Sequence, residues 1–200
     1  MQTSFHILSL VRELKKEIIG NEIVAAEFYR KERAAYFFLK KKKRHALAFL
    51  FHPTHSGTFL VPASKVKINT REKPWPIFSV KGATVLSVEQ IGFDRIFIIT
   101  IKLDKEIRKI VFEAIGPNGN IWLLDKNNLK LATLRKKSFQ SGDFYQAAIL
   151  PDKLNPLTTT VETLSEYIKD KPDMPLKYFI EKNILGCNIT LAREIIIRAS

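Results

Sequence analysis

The sequence of 200 residues is poor in cysteine, in long apolar runs and in acidic residues. Its single cysteine, Cys187, excludes a disulfide bond within the chain and fits a reducing compartment. No apolar run approaches the roughly 20 residues that a transmembrane helix needs. Residues 1–14 alternate polar and apolar side chains and lack the apolar block of a secretory signal peptide. We therefore expect a cytoplasmic protein that does not enter a membrane.

The sequence also lacks the motifs of common catalytic centres. It has neither the Gly-x-Ser-x-Gly of hydrolases nor a P-loop, and Cys187 has no histidine beside it. His52 and His55 have a spacing that metal ligands use, but no cysteine or carboxylate lies close to them, so we expect a loop pair rather than a zinc site. The sequence therefore predicts no catalytic residue, no metal, no cofactor and a protein that is not an enzyme.

Positive charge is what the sequence has in excess. Lysine and arginine number 33 against 20 acidic residues, for a net charge of +13. Residues 1–100 carry 17 of the basic and 8 of the acidic residues. This balance favours a polyanionic partner such as nucleic acid, a ribosome or an anionic membrane surface. A basic protein whose charge serves only solubility is the alternative.

The densest basic run is "KKKKR", which lies between two apolar segments and is expected at the end of a hairpin. Such a run can bind the phosphate backbone of a nucleic acid. It can equally protect an edge strand from pairing with other chains, a common use of lysine. The candidate backbone contacts are Lys40, Lys41, Lys42, Lys43 and Arg44.

The apolar pattern of residues 1–150 predicts one helix and about eight antiparallel strands. Apolar residues recur at helical spacing over residues 4–19, and short runs rich in Phe, Val and Ile follow. Asn118-Gly119 predicts a two-residue turn between two of these strands. The expected fold is α+β, with a β-sandwich or partly closed barrel and an N-terminal helix.

Residues 151–200 have a different character. Three short helical segments follow one another, and Gly186 lies between the last two. Helix, glycine-containing turn, helix is the pattern of a helix-hairpin-helix, whose backbone amides can contact phosphates. A helical cap on the sheet is the simpler alternative. We predict a β-rich domain over residues 1–150 and a helical segment over residues 151–200, and we expect the chain to be the N-terminal fragment of a longer protein.

Two adjacent opposite charges, Asp94 and Arg95, precede an apolar strand that begins at Ile96. A charged pair at this place is either an ordinary solvated strand end or a site for a polar partner. The residues themselves leave both readings open.

The order of several segments resembles the N-terminal domain of the NFACT family, which includes bacterial RqcH, NEMF-like proteins and proteins labelled fibronectin-binding protein A. The segments are "VEQIGFDRIFIITI", "FEAIGPNGNIWLLD", "LRKKSFQSGDFYQ", "LPDKLNP" and "NILGCNITLAREIIIRAS". The positions that match the family's pattern are Gln90, Asp94, Arg95, Glu113, Gly116, Asn120, Asp125, Tyr145, Asn155, Pro156, Ala192, Arg193, Glu194, Ile195, Arg198 and Ala199.

The resemblance implies a fold related to the N-terminal domain of formamidopyrimidine-type DNA glycosylases, followed by a helix-hairpin-helix. It implies a role in ribosome-associated quality control, in which the protein binds tRNA on a large ribosomal subunit blocked by peptidyl-tRNA and supports tailing of the stalled chain. The tRNA-binding residues carried over are Asp94 and Arg95. Arg95 would stack on a base or hold a phosphate, and Asp94 would accept from a base edge or hold Arg95 in place.

Two other functions follow from the same resemblance. An extracellular fibronectin-binding adhesin is the first, although the expected lack of a signal peptide counts against it. A glycosylase-like DNA-binding protein is the second, but the chain begins Met1-Gln2-Thr3 instead of with the Pro-Glu that those enzymes use. The partners expected first are tRNA, the large ribosomal subunit and the remaining domains of a longer chain.

Overall fold

The structure, a computed structural model, consists in its described residues of one N-terminal helix, a large antiparallel sheet and three short helices. It describes residues 2–40, 44–68, 73–135, 140–147 and 152–199. The α+β class expected from the sequence is confirmed. None of the helices in these ranges is long and apolar enough to cross a membrane.

Helix α1, Ser4–Glu17, lies within the range that the apolar spacing predicts. Thr3 caps it: the Thr3 side chain accepts from the backbone N–H of His6, and His6 Nδ1 accepts from the backbone N–H of Thr3 at 3.1 Å. These bonds satisfy amides that the first turn of a helix leaves free. One face of α1 is buried against the sheet through Ile7, Leu10, Val11 and Leu14.

In the described residues, ten strands form a single sheet, and all the pairings between them are antiparallel. In the order β10-β9-β8-β7-β6-β1-β2-β3-β4, each strand is hydrogen-bonded to its neighbours, and β5 pairs with β1. The strands are β1 Glu22–Tyr29, β2 Ala34–Lys40, β3 Arg44–Phe51, β4 Ser56–Pro62, β5 Trp75–Pro76, β6 Thr84–Gln90, β7 Ile96–Leu103, β8 Glu106–Glu113, β9 Asn120–Asp125 and β10 Lys130–Thr133. Short 3-10 turns occupy Ala63–Lys65 and Gly116–Asn118.

The two halves of this sheet face each other across one core. Phe112 of β8 stacks on Phe97 of β7, with ring centroids 4.7 Å apart. From the other half, the rings of Phe37 on β2 and Phe49 on β3 approach Phe112 at 5.3 and 5.7 Å. Strands β4 and β10 are the ends of the order, so in the described residues the sheet folds over like a sandwich and does not close into a hydrogen-bonded barrel.

The two-residue turn predicted at Asn118-Gly119 is wrong. Strands β8 and β9 instead pair through Glu113 and Asn120, and the connection contains a 3-10 turn, Gly116–Asn118. Gly119 has φ −55°, whereas the predicted turn type needs a positive φ at both central residues. Gly119 instead allows the backbone of Glu113 to approach closely, because a β-carbon at Gly119 would lie 2.7 Å from the carbonyl oxygen of Glu113.

Three short helices follow the sheet: α2 Val161–Lys169, α3 Leu176–Asn183 and α4 Ile189–Ala199. The Thr160 side chain caps α2 by accepting from the backbone N–H of Thr163. A separate apolar cluster holds these helices together around Phe179, Ile180, Ile184 and Ala192. The division into residues 1–150 and 151–200 stays a prediction, as does the helix-hairpin-helix.

Candidate nucleic-acid interface

Asp94 and Arg95 lie in the tight loop that joins β6 to β7. The backbone N–H of Ile91 donates to the carbonyl of Ile96 at 2.9 Å and closes the loop, and the N–H of Asp94 donates to the carbonyl of Ile91 at 3.3 Å. The loop projects from the end of two strands whose inner faces are buried. A charged pair at this place is therefore presented on a rigid support.

Gln90 fixes this loop to the N-terminal helix. Its Nε2 donates to the carbonyl oxygen of Asp94 at 2.6 Å and to that of Ser4 at 3.1 Å. Phe93 of the loop is buried, with an exposed fraction of 1%. Its ring packs edge to face on that of Phe5 of α1, with centroids 4.7 Å apart, and so anchors the loop. The loop is thus held by side chains on both of its sides.

The carboxylate of Asp94 orders the backbone of the pair. Its Oδ1 accepts from the backbone N–H of Arg95 at 2.6 Å, while the carbonyl of Arg95 accepts at 2.7 Å from the N–H of Ala114, the residue that follows β8. The guanidinium of half-buried Arg95 makes no hydrogen bond or ion pair with any side chain that the structure describes. Asp94 therefore holds the main chain of Arg95 and leaves its guanidinium available.

Tyr145 and Glu113 lie beside this pair, which sequence spacing did not indicate. The Tyr145 hydroxyl donates to Glu113 Oε1 at 3.0 Å. Burial, the Glu113 carboxylate and the nearby Asp94 all raise the pKa of Tyr145 well above its usual range. Both residues match the family's pattern, but 32 positions separate them, and only the pairing of distant strands brings them together.

The basic hairpin lies at a different part of the molecule. Lys40 and Arg44 pair across the end of β2 and β3 and are exposed, and Lys41, Lys42 and Lys43 lie outside the described residues. Lys40 also pairs with Glu22, which pairs with Thr84 at the start of β6. The seven residues of β6 then separate this hairpin from the Asp94–Arg95 loop, a distance of about 20 Å. Among the described residues, Lys40 and Arg44 therefore do not lie beside Asp94 and Arg95.

In the described part of the chain, the remaining candidate residues do not form a metal or catalytic centre. His52 and His55 contact each other, with ring centroids 5.2 Å apart, in the exposed turn between β3 and β4. Within the described part of the chain, no three histidine, cysteine or acidic side chains cluster as metal ligands do. Burial raises the pKa of the Cys187 thiol, against an opposing effect of Lys153.

Curated relatives include proteins named Rqc2 homolog RqcH. The one from Bacillus subtilis (strain 168) is 24% identical over 208 residues, which cover 95% of this chain and 36% of that protein. The one from Streptococcus pneumoniae serotype 2 is 23% identical over 184 residues, covering 82% of this chain and 33% of that protein. The chain thus spans about a third of the length of these relatives.

Solved structures show the same fold. The N-terminal domain of the fibronectin-binding protein PavA from Streptococcus pneumoniae superposes with a TM-score of 0.79 at 22% identity, covering 98% of this chain and 80% of that one. The fibrinogen binding protein from Staphylococcus aureus gives a TM-score of 0.79 at 21% identity, with 98% and 74% covered.

A family model described as NFACT N-terminal and middle domains matches residues 3–200. The match spans almost the whole chain and agrees with both the curated relatives and the solved folds. The chain therefore belongs to the NFACT family.

Proposed function

We propose that this chain is the RNA-binding module of a cytoplasmic ribosome-associated quality-control factor and binds tRNA through Asp94 and Arg95. In this proposal it acts as a binding module and not as an enzyme. Its partners are tRNA, the large ribosomal subunit carrying peptidyl-tRNA, and further domains of a longer chain, which together support tailing of the stalled nascent chain. The family and the names of the curated relatives support the quality-control role.

The tRNA site is proposed mainly because of the surroundings of the Arg95 guanidinium. The guanidinium of Arg95 is half-buried and has no side-chain partner among the described residues, and its loop has a backbone fixed by Gln90 and Asp94. Such a group is prepared for an external ligand. Its planar fork suits a phosphate, and its flat face suits an unstacked base. Only Oδ1 of Asp94 is used within the loop, so the second carboxylate oxygen is available to accept from a base edge.

The test is tRNA binding by the whole chain over a series of salt concentrations. We expect Arg95→Ala to weaken binding by roughly 1–3 kcal/mol. Asp94→Asn keeps an oxygen for the N–H of Arg95 and removes the charge, so it separates recognition from loop geometry. Arg108→Ala is the matched control, because Arg108 pairs with Glu106 at the far end of β8 and its removal changes the net charge equally.

A selective effect of Arg95→Ala supports the proposal. If Arg95→Ala and Arg108→Ala weaken binding equally, only net charge matters and the pair is a solvated strand end. If neither the wild type nor the variants bind tRNA at low salt, this chain does not have the proposed RNA-binding function.

A second candidate function is binding of an extracellular matrix protein. It is favoured by the solved structures with this fold, which are named as fibronectin- and fibrinogen-binding proteins. At 21–22% identity these structures show the fold alone. Saturable binding of fibronectin at physiological salt, unaffected by Arg95→Ala, would favour this candidate over RNA binding.

A further inference from the structure

A second concentration of positive charge lies between the β1–β2 turn and the chain that follows β10. Three arginines, Arg30, Arg33 and Arg135, line a pocket of about 300 Å³ there, together with Phe28, Phe51 and Leu134. Arg30 and Arg33 come from the turn, and Arg135 follows a strand about 100 residues later in the sequence. Lys40 and Arg44, the described residues of the run "KKKKR", do not line this pocket.

The charges of the three pocket arginines are not balanced by acidic side chains of the described residues. None of them forms an ion pair with a carboxylate of the described residues. Glu32, the acidic residue of the same turn, acts on Tyr29 and Tyr36, and it helps to raise the pKa of both. Burial and the neighbouring charge of Arg33 lower the pKa of Arg135.

Such an arrangement is unfavourable in the free protein. Arg33 and Arg135 are half-buried, and the guanidinium of Arg135 lies 5.5 Å from the ring centroid of Phe51. Like charges in partly desolvated positions repel each other unless an anion lies between them. Arg33 also has φ +51°, a conformation that costs a non-glycine residue free energy. Uncompensated charge and backbone strain at one place are typical of a ligand site.

The chemistry of the pocket selects a phosphate group. Guanidinium forks bind phosphate oxygens in pairs, and three of them can neutralise a phosphate completely. The walls formed by Phe28 and Leu134 are apolar and suit the sugar or base attached to that phosphate. A volume of about 300 Å³ accommodates a group of this size.

The pocket is joined to the Asp94–Arg95 loop by a row of paired residues. Asn120 Oδ1 accepts from the backbone N–H of Arg135 at 3.0 Å. Asn120 pairs with Glu113, and Glu113 pairs with Ile96, the residue after Arg95. Both sites therefore lie at the same end of the sheet. Measured across the strands, Arg135 and Ile96 are three strand spacings, or about 14 Å, apart.

We propose that the Arg30–Arg33–Arg135 pocket binds a phosphate group, and that this phosphate belongs to the RNA that Arg95 contacts. The source of the phosphate rests on the proposed function, whereas the phosphate chemistry of the pocket does not. The two sites together would fix the direction of the bound RNA strand across the end of the sheet.

The test compares tRNA binding and inorganic phosphate binding in the same variants. Arg33→Asn removes the charge and tolerates the positive φ, and Arg135→Gln keeps much of the side-chain volume. Arg108→Gln, with the same change in net charge, is the control. We expect each pocket variant to weaken tRNA binding about tenfold more than the control does. Inorganic phosphate should raise the melting temperature of the wild type and not that of the pocket variants.

The outcomes separate this proposal from the proposed function. If Arg95→Ala weakens tRNA binding but the pocket variants behave like Arg108→Gln, the pocket proposal is overturned and the proposed function stands. If the wild type binds no tRNA but phosphate stabilises it through Arg33 and Arg135, the site is confirmed with a free phosphate as its ligand. If neither tRNA nor phosphate distinguishes the pocket variants from the control, the pocket is not a phosphate site.

Discussion

Gly186, in the turn between α3 and α4, lies directly against the ring of Phe93 in the loop that carries Asp94 and Arg95. A β-carbon at Gly186 would stand 2.6 Å from Cε1 of Phe93 and 3.1 Å from Cβ of Ser4. The absence of a side chain therefore lets the C-terminal helices, the first turn of α1 and the loop meet at one point.

This close approach predicts that Gly186→Ala destabilises the fold. The substitution adds the steric clash with Phe93 to the strain of an alanine at φ +73°, and together these should lower the free energy of unfolding by about 2–4 kcal/mol. Gly142→Ala is the matched control, since Gly142 has φ +95° and nothing within 4 Å of an added β-carbon. Its free energy of unfolding should fall by only about 1 kcal/mol. Urea unfolding measures both, and equal decreases would show that the proximity of Phe93 is unimportant.

Substituting Gln90 should loosen the loop without removing a charge. Gln90→Leu leaves the carbonyl oxygens of Ser4 and Asp94 without their donor, which should cost about 1–3 kcal/mol of stability. We also expect faster hydrogen exchange at the amides of Asp94 and Arg95, because both belong to the loop that Gln90 holds. Glu89→Leu, which changes the exposed residue beside it, should leave these amides unchanged. Similar exchange in the two variants would contradict the role given to Gln90.

Alkaline pH should destabilise the protein through two tyrosines whose pKa values are raised, Tyr145 and Tyr29. The pKa of Tyr145 in the folded state is raised well above the value near 10 expected in the unfolded state. The stability that comes from the neutral hydroxyl is therefore complete below about pH 10 and is lost as the pH rises beyond it. Tyr29, whose pKa is raised to about 12, acts in the same direction. Tyr145→Phe should make the fall in stability at alkaline pH less steep.

At pH 7 the same Tyr145→Phe substitution should cost about 1 kcal/mol, because Glu113 no longer has its hydroxyl donor. Thermal unfolding between pH 7 and 11 measures both effects. Tyr178→Phe, at an exposed position of α3, is the control. A Tyr145→Phe protein with the alkaline stability profile of the wild type would show that Tyr145 does not carry this effect.

The basic hairpin should contribute to RNA affinity through charge alone. Replacing both Lys40 and Arg44 by Gln should reduce the slope of log affinity against log salt by up to about 2, one for each phosphate that the hairpin no longer neutralises. Preference among RNA sequences should not change, because the hairpin lies about 20 Å from the loop that carries Arg95. Filter binding at several salt concentrations measures the slope. The control replaces the exposed lysines Lys126 and Lys182 by Gln and should alter it less.

The helices and strands were largely predictable from local pattern. The apolar spacing of α1 and the capping residue Thr160 of α2 depend on residues within a few positions of each other, and sequence reveals such relationships directly. The pairing of β1 with β6 is different, because it joins residues more than 60 positions apart, such as Glu22 and Thr84. The prediction of a two-residue turn at Asn118-Gly119 was wrong because this sequence suits a tight turn. Only the approach of the Glu113 carbonyl shows why a glycine is needed at position 119.

The candidate site was predictable only in part. Family resemblance gave Asp94 and Arg95, but nothing in their spacing indicated that Tyr145 and Glu113 stand beside them. The arginine pocket left no signal at all in the sequence, since Arg33 and Arg135 are 102 positions apart and meet only because the sheet folds over. Charge density pointed to "KKKKR" instead, where five basic residues happen to be consecutive.

The three supports of the Asp94–Arg95 loop also bear on how the chain can be divided. Ser4, Gln90 and Gly186 come from the beginning, the middle and the end of the sequence, yet all three lie against this loop or its anchor Phe93. A fragment that stops before α3 would still contain Asp94 and Arg95, but one wall of their loop would be missing. The complete support of this loop therefore depends on contacts between segments more than 180 positions apart in the sequence, such as Ser4 and Gly186.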